Sequence, residues 1–196
     1  MKTLFDLLSP SEKARCKVVK YSKDQILYHE NDYCYEIGIV ISGVISISSY
    51  SYQGLEMNYN TILPGGVFGN NLIFSSDPHH RGNVIAKLNS MVVIIRKEVL
   101  LSLLQSNREF LLKYLEIQSN FSKTLNMRIK MLSFIKAEDR LLYLLSVNNN
   151  IYKMTSVTAL ASYLNLSREA TSRLLSKLKR ENIISLNKNE IKLISL

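Results

Sequence analysis

Apolar and polar residues alternate through the first half of this chain and recur every three or four positions through the second. Between Lys17 and Arg96 the period is two. Val18–Tyr21, Gln25–Tyr28, Ile37–Ile41, Val44–Ser48, Met57–Ile62, Val84–Lys87 and Val92–Ile95 read as short strands rich in Val, Ile and Tyr, with Ser alternating. Ser42-Gly43, Gln53-Gly54 and Pro64-Gly65-Gly66 punctuate them as turns. Many short strands with close turn signals predict a barrel or a double-sheet roll. Asn70–Phe74 reads as a short helical interruption. Residues 1–15 predict a short helix, with Ser9 as cap, Pro10 in the first turn and Glu12 as an early acid.

From residue 97 the period becomes helical. Val99–Leu104 is a short apolar turn. A long helix is predicted from Asn107 to about Ser133, where Phe110, Tyr114, Ile117, Phe121, Leu125, Ile129 and Leu132 stand three or four apart. At ~1.5 Å per residue it spans about 40 Å. Its stripe has two possible partners, the chain's own roll or a twin's helix in a two-stranded seam. Ala137–Val147 is the next helix. Ile183–Ser185 and Ile191–Ser195, split by Asn187-Lys188-Asn189, read as a hairpin.

Thr158–Ile184 reads as two helices joined by a tight turn. Ala159, Leu160 and Leu164 give the first helix an apolar stripe. Asn165-Leu166-Ser167 is the break, because Asn tolerates the left-handed conformation that a sharp turn requires. Ser156 and Ser167 are N-cap residues for the two helices. The second helix turns Ala170, Leu174, Leu175 and Leu178 inward and Arg168, Glu169, Ser172, Arg173, Lys177 and Arg180 outward. A solvated basic face gives the same pattern. The position of the groups favours DNA: Arg168 and Glu169 occupy the first turn, the end of a recognition helix that reaches base edges. Arg bridges guanine O6 and N7, and Glu accepts from cytosine N4. Glu169 and Arg173, four apart, are spaced to pair.

Ser167-Arg168-Glu169-x-x-Ser172-Arg173, then Leu174-Leu175-x-x-Leu178 and Ile183-Ile184, resembles the winged helix-turn-helix of the Crp/Fnr transcription regulators. Gln25-Ile-Leu-Tyr-x-Glu-Asn-Asp, Ile41-Ser-Gly-Val and Leu63-Pro-Gly-Gly-Val-Phe-Gly are similar to that family's jelly-roll effector domain. Order and spacing carry the resemblance over roughly residues 15–195. It implies an α+β chain with an N-terminal β jelly roll (1–106), a dimerisation helix (107–133) and a C-terminal winged helix-turn-helix (134–196). It implies that Arg168, Glu169, Ser172 and Arg173 face bases, that Ser156 and Ser167 touch phosphate, and that Lys188 lies on the wing. Phe110, Tyr114, Ile117 and Phe121 are expected on a homodimer seam. Asn165 stands where the family usually has Gly. The partners implied are double-stranded DNA, a second copy of the chain, RNA polymerase and a small-molecule effector.

Composition agrees with a polyanionic partner. The 196 residues carry a net charge of +9. Residues 133–196 hold 10 Lys or Arg against 5 Asp or Glu, while residues 1–132 hold 15 against 11. No apolar run approaches the ~18 residues of a membrane span, and MKTLFDLLSP lacks a signal-peptide pattern, so a cytoplasmic location is expected. Cys16 and Cys34 are expected as free thiols, with a redox pair as the lesser reading. Two cysteines are too few for an iron–sulfur cluster, and His29, His79 and His80 make no metal-ligand spacing. No cofactor or metal is expected.

The effector is the open question. Family members that bind cyclic AMP use a Gly-Glu-Leu turn and an Arg-Ser-Ala sequence. Here these become Gly69-Asn70-Asn71 and Arg81-Gly82-Asn83, the second one residue out of register. Asn70 supplies no charged acceptor, which leaves Arg81 to hold an anion or to sit in an exposed loop. An effector other than cyclic AMP is expected, with a degenerate cyclic AMP pocket as the alternative. An architectural DNA binder is the competing class, disfavoured by Arg168 and Glu169. An enzyme is not expected, since Asp77 with His79 or His80 is the best acid–base pair and a poor one.

Overall fold

The computed structural model describes residues 2–50 and 56–194. It divides into two compact units, Met1–Asn120 and Phe121–Leu196. In the first unit, eight strands form two antiparallel sheets. They are β1 (Lys17–Tyr21), β2 (Ile26–Tyr28), β3 (Glu36–Ser42), β4 (Ile45–Tyr50), β5 (Glu56–Ile62), β6 (Val67–Phe68), β7 (Asn83–Ala86) and β8 (Ser90–Arg96). One sheet runs β1-β8-β3-β6, the other β2-β7-β4-β5. The expected strands are all present. The short β6 was not foreseen, and Gln53-Gly54 lies outside the described residues.

The period of two shows why a roll forms. On β3, Ile37 and Ile39 enter one cluster and Val40 the other; on β8, Val93 and Ile95 alternate in the same way with Val92 and Ile94. A strand buried on both faces becomes almost wholly apolar, as β3 and β8 are. Val40, Ile45, Phe68, Val84, Ala86, Val92 and Ile94 fill the roll interior. Gly38 faces Phe68: a Cβ there would lie 2.0 Å from the ring.

The other face of β3 and β8 packs against Leu4, Leu8, Leu100, Leu103, Phe110 and Tyr114. The N-terminal segment makes only a 3-10 turn, Phe5–Leu7, and α1, Pro10–Lys13. The expected cap is there, Ser9 accepting from the Glu12 N–H and Glu12 reaching back. The apolar turn at Val99–Leu104 is the middle of a ten-residue helix, α2 (Lys97–Ser106). Asn70–Phe74 is not a helix. Leu72 and Ile73 both donate to the Gly69 carbonyl, and Ser75, Ser76 and Asp77 then turn the chain away.

Helix α3 runs Arg108–Ser133, 26 residues, with the Asn107 side chain accepting from the Phe110 N–H at 3.0 Å. Its first half packs in the first unit through Phe110 and Tyr114, its last turns in the second through Met131 and Leu132. The segment 107–133 is therefore shared between the units.

The second unit continues with α4 (Ala137–Val147), β9 (Ile151–Lys153), α5 (Val157–Leu164), α6 (Arg168–Arg180), β10 (Ile184–Asn187) and β11 (Glu190–Leu193). Its core joins Met131, Leu141, Leu144, Leu145, Leu160, Leu164, Leu175, Leu178, Ile184 and Ile191. The wing is a three-stranded sheet, β10-β11-β9. β9 was missed, being only three residues long between turn-forming Asn148–Asn150 and a polar loop.

Candidate nucleic-acid interface

Two serine caps fix the helical hairpin. Ser156 accepts from the Ala159 N–H at 3.0 Å and Ser167 from the Ala170 N–H at 3.1 Å, each satisfying one orphan donor of its helix. Between the helices Asn165 adopts the left-handed conformation, φ 54° and ψ 55°. The Leu166 N–H then reaches back to the Ala161 carbonyl at 2.9 Å, which closes α5 and reverses the chain.

Helix α6 is amphipathic in the expected sense. Leu175 and Leu178 are buried, and Ser167, Arg168, Glu169, Ser172 and Arg173 are exposed. Thr171, which the apolar pattern did not single out, is fully buried, its hydroxyl donating to the Ser167 carbonyl at 3.0 Å. A β-branched residue four positions after a cap Ser is the signal for it. Glu169 and Arg173 form no ion pair among the described residues, because water competes for two exposed charges. Lys177 differs: its ammonium lies 2.7 Å from Glu138 on α4 and its pKa is raised by that contact. The wing places Lys188 at the β10–β11 turn, exposed and with φ 47°.

Asn70 and Arg81 of the roll are each engaged by other side chains. Asn70 is buried; its amide donates to Gln118 Oε1 at 2.5 Å, and its carbonyl accepts from Gln118 Nε2 at 2.7 Å and the Tyr114 hydroxyl at 3.1 Å. It is a strut to α3. Arg81 is exposed and ion-paired with Asp77, which also binds His79. Those two partners, His79 first, hold the Asp77 carboxyl below its usual range. Asn83 accepts from the Glu30 N–H at 3.0 Å, Asn71 is exposed and Gly82 is buried. Gly69 has φ 77°, and a Cβ there would lie 2.8 Å from the Glu36 carbonyl.

His80, weighed from the sequence only as a metal ligand or acid–base group, is a core residue. It is 2% exposed, it stacks on Tyr28 at 4.8 Å, and its Nε2 has no hydrogen-bond partner. Burial pushes its pKa down, so the imidazole is neutral. Beside the half-buried His79 in sequence, it reads as a loop residue. The clue was its place directly before Arg81-Gly82-Asn83. Cys16 and Cys34 are free, and burial pushes the Cys34 thiol up to about 11, leaving almost no thiolate.

The expected seam residues need correction. Phe110 and Tyr114 are buried in the first unit's own core, and Ile117 packs against the same cluster; Phe121 is half-buried. Phe110 and Tyr114 are thus covered within one chain, while Ile117 and Phe121 keep part of their surface open. Leu112, Leu115, Leu125 and Ile129 are the exposed apolar residues of α3, between 48% and 60% accessible. The largest side chains marked the helix's own core. Leu125 and Ile129 continue the expected stripe and are left uncovered, as are Leu112 and Leu115 beside it.

Two families match the chain in order. Residues 18–107 match the cyclic nucleotide-binding domain, and residues 139–196 match the Crp-like helix-turn-helix domain. The chain belongs to the Crp/Fnr family. It carries that family's DNA-binding helix-turn-helix and its cyclic-nucleotide-binding-like roll. No curated protein sequence matches it. Several solved structures share the fold. A CooA variant from Carboxydothermus hydrogenoformans superposes with a TM-score of 0.78 at 20% identity, covering 100% of this chain and 93% of that one. The c-di-GMP responsive regulator CLP of Xanthomonas campestris gives 0.66 at 19%, covering 94% and 96%. FixK2 from Bradyrhizobium japonicum gives 0.65 at 21%, covering 92% and 93%. Among the described residues no helix is long and apolar enough to cross a membrane.

Proposed function

We propose that this chain is a sequence-specific transcription regulator that binds a palindromic DNA site as a homodimer. The observation that carries the reading is the first two turns of α6. Arg168, Glu169, Ser172 and Arg173 project from a capped helix, exposed. Such groups read base edges, while Ser156, Ser167 and Lys188 contact phosphate. The second copy lies along Leu115, Leu125 and Ile129, whose exposure in one protomer leaves an apolar stripe at helical spacing. Two copies of α6 then enter successive major grooves about 34 Å apart.

The signal is a ligand other than cyclic AMP, and it biases the pair of recognition helices toward or away from that spacing. Asn70 and Arg81 support this, since each is engaged inside the roll unit. Selection of bound duplexes from random DNA tests the function. The expected product is an inverted repeat with half-sites about 10 base pairs apart. An unenriched pool rejects the reading.

A further inference from the structure

Arg140 sits in the first turns of α4, and its guanidinium reaches two carbonyls from different connections. Nε donates to the Phe134 carbonyl at 2.8 Å, and Nη1 donates to the Leu164 carbonyl at 3.0 Å. Phe134 is the first residue after α3, and Leu164 is the last of α5. Both carbonyls lie at helix C-termini, where acceptors lack intrahelical donors and a positive charge is favoured. Leu164 is also fully buried and directly precedes the left-handed Asn165. One planar fork therefore holds the α3–α4 connection and the turn of the helix-turn-helix to the same point on α4.

We infer that Arg140 is a positioning residue for DNA recognition: it fixes the α5–α6 turn against the last turns of α3, and thereby sets the pose of α6. The inference rests on the reading of the chain as a sequence-specific DNA binder. Neighbouring contacts show how fully the end of α3 belongs to this unit. Arg128 lies over the Tyr163 ring of α5 at 5.5 Å, and Lys130 over the Tyr143 ring of α4 at 5.4 Å. Met131 is in the core. Those contacts are face-on and tolerant of small slides. The two hydrogen bonds of Arg140 are directional, so they are the ones that define an angle. Lysine keeps the charge and most of the stem, but an ammonium lacks the planar fork that addresses two fixed acceptors at once.

Base contacts require α6 in its groove to within a fraction of an ångström, whereas phosphate attraction is long-ranged and tolerant. Loosening the turn should therefore cost preference for a sequence more than affinity for DNA. The experiment compares the full chain with R140K and R140M on a selected duplex and on random duplex, with thermal unfolding and amide hydrogen exchange beside them. The expected result is that both variants unfold cooperatively and bind random duplex within about twofold of wild type. Their preference for the selected site falls about tenfold or more, as when one base contact is lost. Amides 164–168 should exchange faster. An unchanged preference overturns the inference, as does an equal loss on both duplexes. If R140M does not fold, R140K is read by the same criteria. A wild-type chain with no preferred duplex rejects the regulator reading instead, and the exchange of amides 164–168 then still decides whether Arg140 fixes the turn.

Discussion

Lys177 on α6 and Glu138 on α4 form an ion pair, Nζ to Oε2 at 2.7 Å, that draws one cation of the basic helix back onto its own unit. Glu181 adds a second carboxylate at 4.0 Å. E138Q should return that charge to the DNA-facing side. The expected outcome is modestly tighter binding to DNA of any sequence and a steeper salt dependence, by at most about 0.9 in log–log slope for each chain bound. Fluorescence anisotropy across a salt series measures it. The ammonium's pKa is raised, so the pair's contribution is complete below the unfolded value near 10.5 and is lost as pH rises past the folded one. Binding near neutral pH should therefore not depend on this pair's titration.

Arg168 and Lys188 should separate base reading from charge. Arg168→Ala is expected to remove preference for guanine at one half-site position, at a cost of about 1–3 kcal/mol. Lys188→Ala should weaken every sequence alike and lower the salt slope by about 0.9 for each chain bound. Affinities for single-base variants of the site tell the two apart. Equal losses on specific and random DNA for Arg168→Ala would refute its assignment.

The covered and uncovered apolar positions of α3 predict opposite phenotypes. Leu115→Glu and Ile129→Glu place charges on an exposed face, so the protomer should fold and sediment as a monomer. Phe110→Ala removes a side chain from the first unit's core and should destabilise it by about 3–5 kcal/mol. A folded dimer in both Glu variants would contradict the seam.

How much of this was legible follows from which physical signal each residue carries. Ser156, Asn165 and Ser167 act through their immediate neighbours, so cap and turn chemistry are visible in three letters. The strands announced themselves because both faces of β3 and β8 are covered. Phe110 and Tyr114 were misassigned because periodicity says that a face is buried and not against what. Arg140 was not singled out, and the contacts of Asn70 and His80 were not legible, for a related reason. Their partners lie 24, 48 and 52 residues away, at Leu164, Gln118 and Tyr28, and only folding brings them together.

His80 gives a pH prediction. Its folded pKa is lowered below the ordinary 6.5, chiefly by burial. The unfolded chain therefore binds the proton more readily, and the first unit loses stability as pH falls through 6.5 toward the folded value. His80→Phe keeps an aromatic ring against Tyr28 and removes the unpartnered nitrogen. Melting curves between pH 7.5 and 5 should show a shallower acid decline in the variant. Identical declines would exclude His80 as the cause.

Cyclic AMP should bind weakly, in the millimolar range, because a charge-assisted hydrogen bond to a carboxylate is about twice as strong as one to an amide. Arg81 is also paired with Asp77. Asn70→Glu should not rescue it, since that side chain faces Gln118. Calorimetry checks both; low-micromolar binding of cyclic AMP by the wild type would contradict the reading.

The central claim is that two copies of α6 read one palindrome. Competition between a selected duplex and random duplex at moderate salt, with the binding stoichiometry measured alongside, tests it most directly. The account predicts two chains per duplex and a preference of about a thousandfold or more for the selected site. One chain per duplex, or equal affinity for both DNAs, would contradict it.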